Sequence, residues 1–106
     1  MVKPYQVYWI DLNPTIGAEM QKIRPGVVVS PDELNAHLDT VIIIPITSSI
    51  HDYPYRVRCN LMGRDGEIAT DQIRTIDKRR LKKKISKIDE SEKSKLQQVL
   101  QLMLCE

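Results

Sequence analysis

The chain has 106 residues, 42% hydrophobic and 28% charged, which suits one domain spanning 1–106 with an ordinary core. Its net charge of +2 is too small for a bulk electrostatic argument about nucleic acid, so only the placement of the charges can inform. No run approaches the ~20 apolar residues of a membrane span and no N-terminal stretch resembles a signal peptide, so a cytoplasmic protein is expected.

Phe is absent, so the core must rest on Ile, Val and Leu. Tyr5 to Asp11 (YQVYWID) alternates and is rich in β-branched and aromatic residues, which predicts a strand ended by Asn13-Pro14. Residues 13–24 then form a loop that is long for a hairpin. Gly26 to Ser30 (GVVVS) reads as a short buried strand. A helical turn follows from Pro31-Asp32 to about Asn35, with Ser30 as its cap and Pro31 in the first helical position. Thr40 to Thr47 (TVIIIPIT) is the most apolar stretch and predicts a central strand, in which Pro45 suggests a bulge or an edge.

Residues 48–54 form a second loop. Tyr55 to Leu61 (YRVRCNL) predicts a half-buried strand, with Tyr55, Val57 and Cys59 on one face and Arg56 and Arg58 on a basic outer face. Arg64-Asp65-Gly66 is a turn signal, after which Glu67 to Ala69 restarts a strand. Residues 71–75 are ambiguous, and 76–88 alternate in places. Asp89 to Leu104 predicts a helix. Asp89 and Glu92 make a capping-box start, and Leu96, Val99, Leu100 and Met103 form one apolar stripe. Leu102 and Leu104 fall off that stripe and face either a partner subunit or a wide core contact. Short strands and one terminal helix point to a strongly curved antiparallel sheet or partial barrel with a helix packed on it.

Candidate chemistry is sparse. His37 and His51 lack neighbours at ligand spacing, and Cys59 and Cys105 stand far apart, so no metal site is expected and both thiols read as reduced. There is no glycine-rich phosphate loop and no nucleophile elbow. What remains are polar residues at strand ends: Arg24 before GVVVS, Thr47 and Ser48 after TVIIIPI, and Glu19, Gln21 and Lys22 in the loop before Arg24. Each has a plain structural reading too, Arg24 as a salt-bridge partner and Thr47-Ser48 as a turn cap.

The segments VYWIDLNPTIGAE, KIRPGVVVSPDELN, TVIIIPITSSI and DQIRTIDKRRL, in this order and spacing, resemble the successive motifs of the MazF/PemK toxin family over nearly the whole chain. The resemblance implies a mainly β fold with helices, the CcdB/MazF-like SH3-like β-barrel with a C-terminal helix, and a homodimer. It implies a type II toxin: a metal- and cofactor-independent endoribonuclease that cuts single-stranded RNA at a short motif to 2′,3′-cyclic phosphate and 5′-hydroxyl ends. It implies an antitoxin partner of the MazE kind with an acidic C-terminal segment.

Carried over by motif, the arginine of R-P falls on Arg24, the threonine of P-x-T-S on Thr47 followed by Ser48, the glutamate of G-x-E on Glu19, and the D-Q pair on Asp71 and Gln72. The PemK/Kid branch has a histidine where this chain has Ala18 and an arginine where it has Ala69, so the chain resembles the MazF branch. On this reading Arg24 stabilises the phosphorane and Thr47 orients, while Glu19 is either the base or an orienting partner of Arg24. Gln21, Lys22, Ser48, Tyr53, Arg56, Asp71 and Gln72 are the candidates for RNA contacts, with Tyr53 equally placed to stack a base or to pack on its own domain. Arg58, Lys78, Arg79 and Arg80 are further candidates for flanking phosphates. The alternative is a CcdB-like gyrase-binding toxin without nuclease activity.

Overall fold

The structure is a computed structural model that describes residues 1–12 and 23–105. Seven strands and two helices follow one another: β1 Gln6–Asp11, β2 Ile23–Val28, α1 Asp32–His37, β3 Thr40–Thr47, β4 Val57–Leu61, β5 Arg64–Ile68, β6 Arg74–Asp77, β7 Leu81–Lys87 and α2 Glu90–Leu104. Short 3₁₀ turns at Thr70–Gln72 and Lys78–Arg80 flank β6. The strands form one sheet in the order β4-β5-β3-β2-β1-β7, with β6 also paired to β3. All the pairings are antiparallel. The sheet curls into a half-barrel, and α2 packs on it as expected.

The apolar runs of β2 and β3 make sense because both of their faces are covered. Val27, Ile44, Ile46, Val57 and Ile68 belong to one buried cluster, which Leu96 and Val99 of α2 close. Their neighbours Val28, Val41 and Ile43 belong to a second cluster with Ile10 and Ile76. In β1, Val7 joins the first cluster and Ile10 the second, and the β1–β7 pairing shifts register between them. That strand begins at Gln6 rather than Tyr5, whose φ of 71° is left-handed and not extended.

Pro45 is neither at an edge nor on a bulge. It sits in the central strand, where β3 changes partner: residues 40–43 pair with β6 and residues 46–47 with β5. A residue's N–H and C=O leave a strand on the same side, and the Pro45 carbonyl accepts the Ala69 amide on that side. The missing N–H therefore falls in the gap between two partners, where no ladder bond is lost.

The β4–β5 turn lies elsewhere than the Asp65-Gly66 signal suggested. Met62 (φ 52°) and Gly63 (φ 81°) make a two-residue hairpin turn, closed by the Leu61–Arg64 pair. Arg64, Asp65 and Gly66 lie inside β5. Gly66 is needed there for another reason: a Cβ would stand 2.8 Å from the Thr47 carbonyl oxygen. At α1, Pro31 rather than Ser30 is the N-cap. The buried Ser30 hydroxyl instead bonds Asn35 and accepts the Ile42 amide, tying the helix to β3. β2 is shifted to Ile23–Val28, and β4 begins at Val57 because Tyr55 has a φ of 67°.

The helix α2 has the anticipated capping box, with Asp89 accepting from the Glu92 amide and Glu92 from the Asp89 amide. Leu96 is fully buried, whereas Leu102 and Leu104 are 65% and 59% exposed in the single chain. Leu96→Ala should therefore cost about 2–5 kcal/mol in urea denaturation, while Leu102→Ala should stay within about 0.5 kcal/mol at concentrations where the chain is monomeric.

Candidate active site

Arg24 lies in β2 opposite Ile10 of β1, and Thr47 closes β3. The β2–β3 ladder is recorded as far as Gly26–Pro45. Continuing that antiparallel register two residues brings Arg24 opposite Thr47. Both side chains line one cleft of about 650 Å³ between the β1–β3 strand ends and the β4–β5 hairpin. Trp9, Pro25, Ile46, Leu61 and Met62 supply its apolar lining, and Arg24, Thr47, Ser48, Ser49, Arg64 and Asp65 its polar groups. A space of this size, with polar groups converging beside an apolar wall, is large enough to hold part of a small ligand.

The electrostatics of the cleft are uneven. Among the described residues no hydrogen bond or ion pair engages the guanidinium of Arg24 or of Arg64. Asp65 is taken up by the Asn60 side-chain amide at 3.1 Å. Two guanidinium groups with unused donors thus face a partly apolar cavity, an arrangement suited to an anion with several oxygens. The Thr47 hydroxyl accepts the Ser49 amide at 3.1 Å, which leaves its own O–H free to donate. Among the described residues no three His, Cys, Asp or Glu side chains gather as metal ligands would.

Glu19, Gln21 and Lys22 lie outside the described residues. Ser48 lines the cleft, whereas Tyr53, Arg56, Asp71 and Gln72 do not. Gln72 is exposed on the 3₁₀ turn after β5. Arg56 departs most from expectation. Instead of facing outward beside Arg58, its side chain is only 7% exposed. Its Nε and Nη2 grip Asp71 at 2.9 and 3.1 Å, and its Nη1 reaches Glu67 at 3.3 Å. It also lies over the Tyr53 ring, which stacks on His51. Strand alternation fails here because Arg56 precedes the strand.

The four further candidates for flanking phosphates also have local partners: Arg58 pairs with Asp52, Lys78 bonds the Asn35 carbonyl, Arg79 pairs with Asp77, and Arg80 bonds the Asp11 carbonyl. Sequence reasoning missed Trp9 and Arg64 as parts of the cleft. The Arg64-Asp65-Gly66 turn signal placed Arg64 at a hairpin tip, and Met-Gly at 62–63 was the clue to the true turn. Glu67 was missed as well. Both cysteines are free, and burial pushes the Cys59 thiol up to about 11, so it stays protonated at neutral pH.

Comparisons with known proteins place the chain in a family. A family model described as the PemK-like, MazF-like toxin of type II toxin-antitoxin systems matches residues 3–104. The chain belongs to that family. Over 98% of its length it is 36% identical to Endoribonuclease EndoA of Bacillus subtilis (strain 168), covering 95% of that protein. It is 32% identical to Endoribonuclease MazF of Staphylococcus epidermidis, with 98% of this chain and 92% of that protein covered. A MazE-MazF crystal structure from Deinococcus radiodurans superposes with a TM-score of 0.83 at 24% identity, over 97% of this chain and 95% of that one. The expected fold is thus the family's fold, and the CcdB-like alternative is not favoured. Among the described residues no helix is long and apolar enough to cross a membrane.

The carboxylates beside the cleft give this toxin-family chain a pH signature. Burial pushes Glu67 up, but the Asp52 and His51 amides and the Arg56 guanidinium outweigh it and hold the carboxyl below its ordinary value. The Arg56 hydrogen bonds lower Asp71 in the same way. Groups depressed on folding add stability above their unfolded pKa values, and that stability is lost as pH falls through the folded ones. The urea midpoint should be steady from about pH 7 to about pH 5 and fall below about pH 4, and Glu67→Gln should make that fall shallower.

Proposed function

We propose that the chain is a metal-independent endoribonuclease toxin that cuts single-stranded RNA in the Arg24–Thr47 cleft, acting in the cytoplasm as a homodimer and restrained by an antitoxin. The observation that carries this reading is one cleft lined by the Thr47 hydroxyl and by Arg24, whose guanidinium has no partner among the described residues. The names of the relatives, both endoribonucleases, support it, as does the antitoxin-bound state of the Deinococcus neighbour.

The chemistry follows from those groups. The ribose 2′-hydroxyl attacks the adjacent phosphorus, a 2′,3′-cyclic phosphate forms, and the 5′-oxygen leaves with a proton. The substrate supplies the nucleophile, so the protein needs neither a metal-bound water nor a nucleophilic side chain. Arg24 can hold two phosphate oxygens and stay charged as negative charge builds on them. Thr47 donates its O–H to the phosphate and orients it, since a hydroxyl is a poor base near neutral pH. Arg64, across the cleft, contacts the next phosphate. Glu19 is assigned as the base that takes the 2′-proton or as the orienting partner of Arg24. Ser48, Tyr53 and Gln72, with Gln21 and Lys22, are assigned to flanking nucleotides, whose unstacked bases can be hydrogen-bonded or stacked. Asp71 contributes by fixing Arg56.

Incubation with a mixed RNA pool in EDTA should yield fragments with cyclic-phosphate ends, and Arg24→Ala should lower the rate by about 10²–10³-fold. Thr47→Val should be slower than Thr47→Ser. An oligonucleotide with one 2′-deoxyribose at the cleaved position should remain intact. Cleavage of that oligonucleotide, or an Arg24→Ala variant as fast as the wild type, would rule out the mechanism.

A further inference from the structure

Glu67 is a carboxylate where the strand pattern calls for little more than a cross-strand neighbour of Thr47 and Arg58, and it is only 1% exposed. Such burial demands partners. One carboxylate oxygen accepts the backbone amides of His51 and Asp52, at 3.1 and 2.6 Å. The other takes the Arg56 guanidinium. All three partners belong to the segment 48–56 that joins β3 to β4. The same segment begins with Ser48 and Ser49 in the cleft wall.

Resting on the reading of that cleft as an RNA site, we propose that Glu67 is a specificity-determining positioning residue: it sets the path of the 48–56 loop and so which nucleotides fit beside the scissile linkage. Besides the Arg58–Asp52 and Arg56–Asp71 ion pairs, hydrogen bonds pin the loop at three depths. Thr47 Oγ1 holds the Ser49 amide at its start, Glu67 holds His51 and Asp52 at its middle, and the Thr70 hydroxyl donates to the Tyr55 carbonyl near its end. Of these three, the middle pin alone has a buried carboxylate as its acceptor.

Two residues of the loop, Asp52 and Tyr55, carry left-handed φ values of 53° and 67°, a conformation that persists only where the surroundings enforce it. Asp52 is the residue whose amide Glu67 holds most closely. Between the two lies Tyr53, half exposed, stacked on His51 at 4.9 Å between centroids and backed by the Arg56 guanidinium. The ring pair thus takes its position from groups that converge on one carboxylate. Arg56 carries the constraint onward to Asp71, which ties the loop to the 3₁₀ turn after β5. Ordering such a loop in advance removes a cost otherwise met on binding RNA.

The test compares Glu67→Val, which removes the acceptor, with Glu67→Gln, whose amide oxygen can still take both backbone amides. Each variant is first checked for a cooperative thermal transition. The cleavage profile of a mixed RNA pool and the kinetics on an oligoribonucleotide carrying the preferred wild-type motif are then measured. Glu67→Val should raise KM about tenfold with kcat within about threefold, and its profile should accept nucleotides the wild type rejects. Glu67→Gln should recover most of the wild-type KM and profile.

A purely structural carboxylate would instead lower the active fraction, reducing kcat and leaving KM and the profile as they were. That result, with the wild type active, overturns this inference alone. A wild type that cleaves no RNA overturns the reading of the cleft, and this inference with it. Amide hydrogen exchange gives a further check: His51 and Asp52 should be protected in the wild type and in Glu67→Gln, and lose protection in Glu67→Val while the β3–β5 ladder keeps its own. Equal protection in all three chains would show that Glu67 does not hold the loop.

Discussion

The register of β3 is the constraint from which the rest of the molecule follows. This strand is paired on one side with β2 along its middle and on the other with β6 and then β5. The change of partner at Pro45 turns the sheet and forms the half-barrel. It also sets Thr47 beside Arg24 and leaves the ends of β2 and β3 open toward the β4–β5 hairpin. A slip of one residue would send Thr47 into the apolar cluster and expose Ile46. The burial of Ile43, Ile44 and Ile46 on their proper faces therefore also fixes the cleft.

Charge is distributed by the same logic. Among the described residues, Glu67 and Asp71 are bound to Arg56, and Asp65 accepts from Asn60. Arg24 and Arg64 have no such partners among the described residues. Pairing Glu67 and Asp71 with Arg56 keeps these two carboxylates from competing with an incoming phosphate for Arg24 and Arg64. A net charge of only +2 can thus coexist with a locally cationic cavity, and the whole-chain number carries little information about binding.

Much of the architecture was legible beforehand. TVIIIPIT matches β3 in full, and the D-x-x-E start of α2 is a capping box in the structure. Both signals are local and strong: a long apolar β-branched run, and a side chain that satisfies amides three residues away. Errors arose where a residue type had two uses. Asp-Gly usually marks a turn, yet Gly66 is in a strand because the Thr47 carbonyl approaches it too closely for a side chain. Arg56 and Arg58 alternate on paper, but a left-handed Tyr55 turns the chain just before Arg56 and points its guanidinium inward.

By itself the sequence determined the strand and helix content, the Ile- and Val-based core, the family and the residue types from which a site could be built, because periodicity, capping and motif order are properties of neighbours along the chain. Only the tertiary structure decided which arginines lack partners among the described residues, that Trp9 and Arg64 join Arg24 and Thr47 around one cavity, and that Glu67 bonds a loop more than ten residues earlier in the chain. Those outcomes depend on cross-strand register and on competition between charged groups for partners in a small buried volume, and neither can be computed from spacing alone.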